Sequence, residues 1–298
     1  MRVHYLRDPD SITHMGPSVA SLVGLPDCGD VDSADLVVLD GWVSRLTSKR
    51  NLGRVREWLS SRPWFRGCVD RLVLFDYSDP FEPYGTGWFK AAFRASYNRY
   101  RVDPNTFSIP FVFSGDETLK AEPLQCDFSH KVGFVGFGWP PLRRRLAGQV
   151  AGAMGADAVL EVHKRYFYQF SSASQRGGVS AFQEALRRCP FSLCPRGAGL
   201  GSMRLYESLA WGRIPIVISD GYEMPFGWEV DWDSIVLRVR ENEVKRGTAG
   251  ETIRGLVTDM TTEEMLGRMD KARRAWTDVC CLIHWPRHIQ RCLRGLEK

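Results

Sequence analysis

Residues 191–220 constrain the fold of this chain more than any other stretch. Apolar runs at 191–194 and 214–218 have the length and composition of buried strands. Between them come a glycine-containing loop, a candidate N-cap at Ser202 and an amphipathic segment that Gly212 ends. The order strand, loop, helix and strand predicts a βαβ unit with parallel strands, and hence an α/β fold.

The loop and the helix start that follows it predict a phosphate-binding site. The first N–H groups of a helix lack partners within the helix, and the positive end of its dipole attracts anions. Arg196 enters the loop and Arg204 lies in the first helical turn, where both guanidinium groups would neutralise a diphosphate. Glu207 shares a helix face with Arg204 and is placed to bind sugar hydroxyls. The alternative is an ordinary surface ion pair between Arg204 and Glu207.

Three motifs follow one another in this stretch: CPRG, then S-x-R-x-x-E, then G-x-x-P-x-x-I-S-D. The second begins at Ser202 and the third ends at Asp220, and the likeness continues through 221–226 and 232–239. The ordered set resembles the exostosin (GT47) family of glycosyltransferases. The resemblance implies a GT-B fold, in which two Rossmann-like domains with parallel sheets face each other across a cleft. It also implies transfer of a sugar from a nucleotide sugar, usually a UDP-sugar, to a glycan hydroxyl, with inversion and with no essential metal or cofactor.

The nucleotide-sugar site that the resemblance implies lies in the C-terminal half. A predicted strand at 131–136 runs into GFGWPP at 136–141, where glycine allows close approach of a phosphate or of the other domain. Arg143 comes nearest to the arginine that exostosins place after this loop, and its two arginine neighbours leave the assignment open by one residue. Ser219 and Asp220 lie at a strand tip, where α/β folds bind ligands. The predicted site consists of Arg143, Arg196, Gly197, Gly199, Gly201, Ser202, Arg204, Glu207, Ser219 and Asp220.

The rhythm of strands and helices predicts two domains. We expect an acceptor-side domain at 1–113, a polar, turn-rich linker at 114–130 and a nucleotide-sugar-binding domain at 131–275. By resemblance, a helical segment at 276–298 is expected to cross back to the first domain, with Pro286 interrupting it. Strands are predicted at 2–6, 34–40, 70–76, 108–113, 131–136, 158–161, 191–194, 214–218 and 234–239; helices are predicted at 51–61, from 142, at 180–188, 203–211 and 261–275; and 88–100 is predicted to be a helix or an aromatic loop.

An inverting transferase needs a general base on the acceptor side of the cleft. The candidates are Asp76 and Asp79, which we prefer, and then Asp40, Glu82 and His14. All five follow or lie near predicted strand tips in the first domain. Strand-tip acids also commonly cap turns, so each candidate has a purely structural alternative.

Two other function classes remain open. Residues 8–10 and 231–233 show the D-x-D pattern of metal-dependent GT-A transferases, but their positions favour turns, and we predict no metal ligand. Alternatively, the chain is a non-catalytic module that binds a nucleotide or a polyanion through arginines such as those at 143–145 and 187–188. The basic residues are scattered and the loop at 76–82 is acidic, which argues against nucleic acid as a partner.

Charge and cysteine content narrow the class of protein further. The formal net charge is a mild +5, and the eight cysteines include no CxxC pair. The N-terminus lacks the pattern of a signal peptide, and no apolar run reaches the length of a membrane span. We therefore expect reduced, mostly buried thiols in a cytoplasmic enzyme. Exostosins of animals and plants resemble type II membrane proteins, so the lack of an anchor points to a bacterial or viral enzyme or to a shortened chain.

Overall fold

The computed structural model describes residues 1–6, 18–42, 53–76, 89–100, 104–111, 129–164 and 181–296. These residues form two separate parallel sheets of five strands, one in each half of the chain. Two parallel-sheet α/β domains in one chain are the GT-B architecture, so the predicted fold class is confirmed. The predicted linker at 114–130 lies almost wholly outside the described residues.

The first sheet consists of β1 (Val3–Leu6), β2 (Leu36–Trp42), β3 (Leu72–Asp76), β4 (Ala91–Arg94) and β5 (Thr106–Ser108), with the short helices α1 (Val19–Val23), α2 (Gly53–Ser60) and α3 (Phe65–Cys68). Its strands are ordered as they occur in the chain. The prediction of a helix or aromatic loop at 88–100 was wrong, because β4 lies there. All four residues of β4 are buried, and a strand buried on both faces shows no alternation of polar and apolar residues.

The second sheet consists of β6 (Val132–Phe137), β7 (Ala158–His163), β8 (Phe191–Pro195), β9 (Ile214–Ile218) and β10 (Leu237–Arg238), in the order β10-β9-β8-β6-β7. The chain leaves β6 toward β7 and then returns to the other side of β6 with β8. The gap between the carboxyl ends of β6 and β8 is therefore a topological switch point, where open α/β sheets bind ligands.

Helices surround this second sheet: α4 (Pro141–Met154), α5 (181–188), α6 (Met203–Ala210), α7 (Glu241–Arg246), α8 (Ala249–Thr258), α9 (Thr262–Arg274) and α10 (Trp285–Gly295). Helix α9 begins with a capping box: Thr261 N donates to Glu264 Oε2 at 2.8 Å, and Glu264 N donates to Thr261 Oγ1 at 3.2 Å. Pro286 was predicted to interrupt a helix but lies in the first turn of α10, where a missing N–H has no cost.

The two domains are held together by backbone pairing as well as by apolar packing. The segment after β4 runs beside the segment after β9: Arg99 N donates to Gly221 O at 2.9 Å, and Glu223 N donates to Tyr97 O at 3.0 Å. One hydrophobic cluster contains Phe93 of the first sheet and Val217 of the second. The carboxyl edge of the second sheet therefore faces the first domain at close range.

Helix α10 provides a second connection between the domains, because it lies against α1. Gln290 Nε2 donates to Val23 O at 2.9 Å. Gly24 ends α1 with φ of 65°, and a Cβ there would lie 2.8 Å from Pro286 Cβ. A left-handed backbone and a close neighbour both favour glycine at this position.

The described cysteines are free thiols, and most of them are buried. Burial raises the pKa of the Cys194 thiol to about 12, so this thiol at the end of β8 stays protonated at neutral pH. Cys126 lies outside the described residues. Within the part of the chain that the structure describes, no helix has both the length and the apolar character of a membrane span.

Candidate nucleotide-binding site

Two of the predicted site residues, Arg143 and Arg196, meet at the switch point of the second sheet. Arg143, in the first turn of α4 after β6, reaches across to the loop after β8. Its Nε donates to Arg196 O at 3.0 Å, and one of its terminal nitrogens donates to Pro195 O at 3.1 Å. A single guanidinium group thus joins the two strand ends between which a ligand would lie.

Arg196 and Asp220 are linked by an acid that the sequence analysis did not single out. Glu241, at the start of α7, accepts from Arg196 Nε at 2.7 Å and from Asp220 N at 3.2 Å. Its own N–H donates to Asp220 Oδ1 at 3.2 Å. The carboxyl ends of parallel strands lie at the same edge of a sheet, so the turn after β10 lies beside the turns after β8 and β9. An acidic residue that begins a helix in this turn was the sequence feature that could have indicated the role of Glu241. The Arg196 guanidinium, which was predicted to neutralise a diphosphate, is therefore already partly neutralised by Glu241.

Arg204 and Glu207 form the ion pair that the helix spacing predicts. Arg204 donates to Glu207 Oε2, and both side chains are partly buried. The Arg204 guanidinium also lies over the ring of Phe182, 3.7 Å from its centroid. A guanidinium held by a ring and a carboxylate has lost much of its rotational freedom before a ligand arrives, which distinguishes it from a solvated surface pair.

Ser202 is the N-cap residue of α6, as predicted, but its hydroxyl does not cap the helix. The side chain is 7% exposed, and Oγ has no hydrogen-bond partner among the described residues. A buried hydroxyl without a partner is costly, and such groups commonly mark the place of an absent ligand or water. The orphaned atom lies beside the first N–H groups of α6, at the positive end of the helix dipole.

The middle of the loop at 196–202 lies against the first domain instead of standing open to a ligand. Leu200 N donates to Ser96 Oγ at 2.9 Å, so this N–H is not available to donate to a phosphate. A Cβ at Gly201 would lie 2.2 Å from Phe111 Cε2 and 2.8 Å from Ala95 O. The absence of a Cβ at Gly201 therefore permits close packing between the domains, and its part in phosphate binding stays a prediction. Gly199 is buried as well, and a Cβ at Gly197 would meet the Arg143 guanidinium at 3.4 Å.

Ser219 and Asp220 line a cavity of about 620 Å³ beyond β9 and β10. Ser219 Oγ donates to Leu200 O at 2.8 Å, which ties this strand tip to the loop after β8. The described residues that line the cavity carry three guanidinium groups and one carboxylate: Arg99, Arg238, Arg240 and Asp220. This basic cavity extends the switch-point site along the carboxyl edge of the sheet.

Sequence comparison identifies the domain that carries this site. Residues 133–256 match the family model described as the Exostosin GT47 domain. The chain carries an exostosin domain. A probable glucuronoxylan glucuronosyltransferase of Arabidopsis thaliana is 41% identical over 70 residues, which are 24% of this chain and 16% of that protein. An exostosin-1 homologue of Caenorhabditis elegans is 42% identical over 62 residues, 21% of this chain and 16% of that protein. The chain thus spans about a sixth of the length of these relatives.

Among solved structures, that of TarM aligns with 88% of this chain and 54% of its own, at a TM-score of 0.47 and 10% identity. Anabaena HepE in complex with UDP aligns with 89% of this chain and 79% of its own, at a TM-score of 0.44 and 10% identity. The sequence matches to curated relatives are short, whereas these structural alignments run through most of the chain.

The candidate general bases were predicted in the first domain, and the structure describes two of the five. Asp76 is 1% exposed and accepts from Arg94 Nε at 3.3 Å, and Arg94 is itself buried. A carboxylate so enclosed does not reach an acceptor hydroxyl in this structure, which favours a structural role. Asp40 is partly buried and accepts from Ala20 N at 3.4 Å. The other candidates, Asp79, Glu82 and His14, lie outside the described residues.

The D-x-D segment inside the exostosin domain is a turn in the structure. Trp232–Ser234 is a short 3₁₀ helix, and Asp233 pairs with Arg238 at 3.3 Å. Among the described residues, no group of three or more histidine, cysteine, aspartate and glutamate side chains is arranged to hold a metal ion. The second D-x-D segment, at 8–10, lies outside the described residues.

Proposed function

We propose that this protein is a glycosyltransferase that takes a sugar from a nucleotide sugar, a UDP-sugar in the first instance, and transfers it to a glycan hydroxyl. The observation that carries the proposal is the buried, unpartnered Ser202 Oγ at the start of α6. It lies at a topological switch point and at the positive end of the helix dipole, and Arg204 lies in the first turn of the same helix. A diphosphate supplies the acceptor oxygens that this arrangement lacks.

The diphosphate is the leaving group of the proposed reaction, so its stabilisation is the main task of the site. In this proposal the Ser202 hydroxyl, free N–H groups at the start of α6 and the Arg204 guanidinium donate hydrogen bonds to the diphosphate. Arg143 adds a positive charge across the switch point while it holds the loop after β8. Because these donors are fixed by the fold, they need no reorganisation as negative charge develops on the departing oxygen.

Glu207 and the Glu241 network have different proposed tasks. Glu207 accepts hydrogen bonds from the ribose hydroxyls, with Arg204 holding its carboxylate in place. Glu241 fixes Asp220 at the tip of β9, where Ser219 and Asp220 contact the donor sugar. The sugar is thereby held between the diphosphate and the basic cavity.

We further propose that transfer inverts the anomeric carbon and needs no metal ion. The acceptor oxygen attacks the anomeric carbon while the bond between that carbon and the diphosphate oxygen breaks. The proton of the acceptor hydroxyl is transferred to a base on the acceptor side. The Ser202 hydroxyl, the N–H groups at the start of α6 and the arginines take the place of a divalent cation on the diphosphate. We therefore expect activity to persist in EDTA.

Nucleotide binding tests the proposal directly. UDP should bind the wild-type protein in calorimetry, and binding should weaken at least tenfold in Arg204→Ala and in Glu207→Gln. The matched control is Arg254→Ala, which breaks an exposed pair with Glu251 that has the same i,i+3 spacing on α8. Equal UDP affinity in all four proteins, or no affinity in the wild type, would refute the site. Binding without turnover of any UDP-sugar would leave a nucleotide-binding module in place of a transferase.

A further inference from the structure

A second cavity, of about 530 Å³, lies beside the basic cavity and shares Arg99 and Arg238 with it. It is built mainly from the segment between β9 and β10, at 222–233. Because two residues line both cavities, the two are neighbours on one surface. A molecule lying in the second cavity could therefore reach toward Ser219 and Asp220. Its volume suits one or two sugar rings.

Trp228 presents a large aromatic surface to this second cavity. The side chain is 42% exposed, which is unusual for tryptophan, and it is nevertheless held on two sides. Phe226 meets its ring edge-on at 5.7 Å, and the Arg291 guanidinium lies 5.7 Å from its centroid. Phe226 is buried and stacks on His288 at 4.3 Å, so the support itself is rigid. A fixed, exposed indole is the surface on which the C–H face of a sugar ring stacks.

The turn that exposes Trp228 is maintained against a conformational cost. Phe226 has φ of 54°, the left-handed region that bulky side chains rarely adopt. Backbone strain of this kind persists where surrounding structure enforces it, and it is concentrated at ligand sites. Here Glu229 N and Val230 N both donate to Phe226 O, which closes the turn around Trp228.

The second cavity has more carboxylates than guanidinium groups in its lining, whereas the basic cavity has more guanidinium groups than carboxylates. Among the described lining residues are four carboxylates and two guanidinium groups. Burial raises the pKa of Glu223, and this carboxyl, partly buried, faces the same space. Asp233 is engaged by Arg238 at 3.3 Å, and Glu229 by Arg287 at 3.0 Å. The carboxylates of Glu223 and Asp231 therefore supply acceptors for hydroxyl groups, and this lining attracts a polyanion less than the basic cavity does.

We propose that this second cavity is the acceptor subsite and that it binds an uncharged oligosaccharide, with one ring stacked on Trp228 and hydroxyl groups donating to Glu223 and Asp231. The inference rests on the proposed function, because the acceptor must approach the donor sugar beside Asp220. The acidic lining sets the specificity: a glycan carrying uronic acids is disfavoured at this position.

The test is saturation-transfer NMR and calorimetry with three tetrasaccharides: xylotetraose and cellotetraose, which are neutral, and tetragalacturonate. At least one neutral sugar should bind more tightly than tetragalacturonate. Trp228→Ala should weaken that binding about tenfold, and Trp228→Phe should retain most of it. Asp231→Lys should shift the preference toward tetragalacturonate, whereas Asp259→Lys, at an exposed acid outside the cavity, should not.

The same samples separate this inference from the proposed function through their affinity for UDP. If UDP binds normally while Trp228→Ala binds the neutral sugar like the wild type, the acceptor subsite is refuted and the donor site stands. Failure of both neutral sugars to bind, or a preference for tetragalacturonate, also overturns the inference. If UDP fails to bind the wild type, the donor site is refuted whatever the sugars do.

Discussion

The two sheets have the same number of strands and the same parallel direction, yet their carboxyl edges are chemically different. The second sheet reverses its order at β6, and this opens a switch point with an orphaned hydroxyl and a helix start. The strands of the first sheet follow one another without reversal, and its tip acid Asp76 is buried against Arg94. An acid at a strand tip is therefore a weaker indicator of a site than the order of the strands. Asp76 was preferred as a general base because it follows a strand tip, and its burial against Arg94 favours the structural alternative.

The largest effect that we predict breaks the buried pair of the first sheet. Asp76→Ala should lower the free energy of unfolding by about 3–5 kcal/mol, because it leaves the Arg94 guanidinium buried without its carboxylate. Urea denaturation measures this loss, with Asp270→Ala as the control, since its pair with Arg274 is exposed. If Asp76→Ala were as stable as the wild type but had lost all sugar transfer, Asp76 would instead be a catalytic base. The carboxyl edges of both sheets would then be functional.

On the second sheet, the largest effect should be kinetic. Arg204→Ala is expected to lower the rate of sugar transfer by about 10²–10³-fold, because it removes a fixed donor to the departing diphosphate. The thermal midpoint should fall only modestly, because Arg204 is partly exposed although it also pairs with Glu207 and packs on Phe182. Transfer from a UDP-sugar, assayed beside Arg254→Ala, gives the measurement. A rate equal to that of the control would show that Arg204 is only half of an ion pair.

A smaller effect should appear where the two domains meet. Gly201→Ala is expected to cost about 1–3 kcal/mol of stability, because the new methyl group overlaps Phe111 and Ala95 O. Gly227→Ala is the control, since a Cβ there meets nothing within 4 Å. A stable Gly201→Ala with normal UDP affinity would mean that the domains separate easily at this contact.

The smallest effect should separate the binding role of Ser202 from any structural one. Ser202→Ala should weaken UDP binding by about fivefold, the loss of one hydrogen bond, while stability stays the same or rises. Stability does not fall because the hydroxyl has no protein partner to lose. Calorimetry and urea denaturation measure the two quantities, with Ser21→Ala as an exposed control. A loss of stability without a loss of affinity would return Ser202 to the role of a helix cap.

Much of the second domain could be predicted from local pattern. Strand β9 has the predicted bounds, β8 extends one residue further, and α6 ends one residue earlier than predicted. These elements are bounded by caps, glycine and proline, whose effects depend on the neighbouring backbone. By contrast, β4 was missed and β10 is shorter than predicted, because a buried strand and a nearby turn have no distinctive period.

Some contacts of the candidate site could likewise be predicted from local sequence, and others could not. The spacing of Arg204 and Glu207 on one helix turn predicted their contact, since i,i+3 neighbours share a face. The role of Glu241 could be predicted only if it were known that the turn after β10 lies beside those after β8 and β9. The contact of Gly201 with Phe111 could be predicted only from the arrangement of the two domains.

The βαβ order, the helix start at Ser202 and the family likeness can be predicted from the sequence alone, because they depend on residues close together in the chain. Which charges are paired and which surfaces are exposed depends on the tertiary structure. It paired Arg196 with Glu241, buried Asp76 and exposed Trp228. Hydrogen bonds and burial between distant segments depend on how the strands are ordered and how the domains meet, and no local pattern encodes either one.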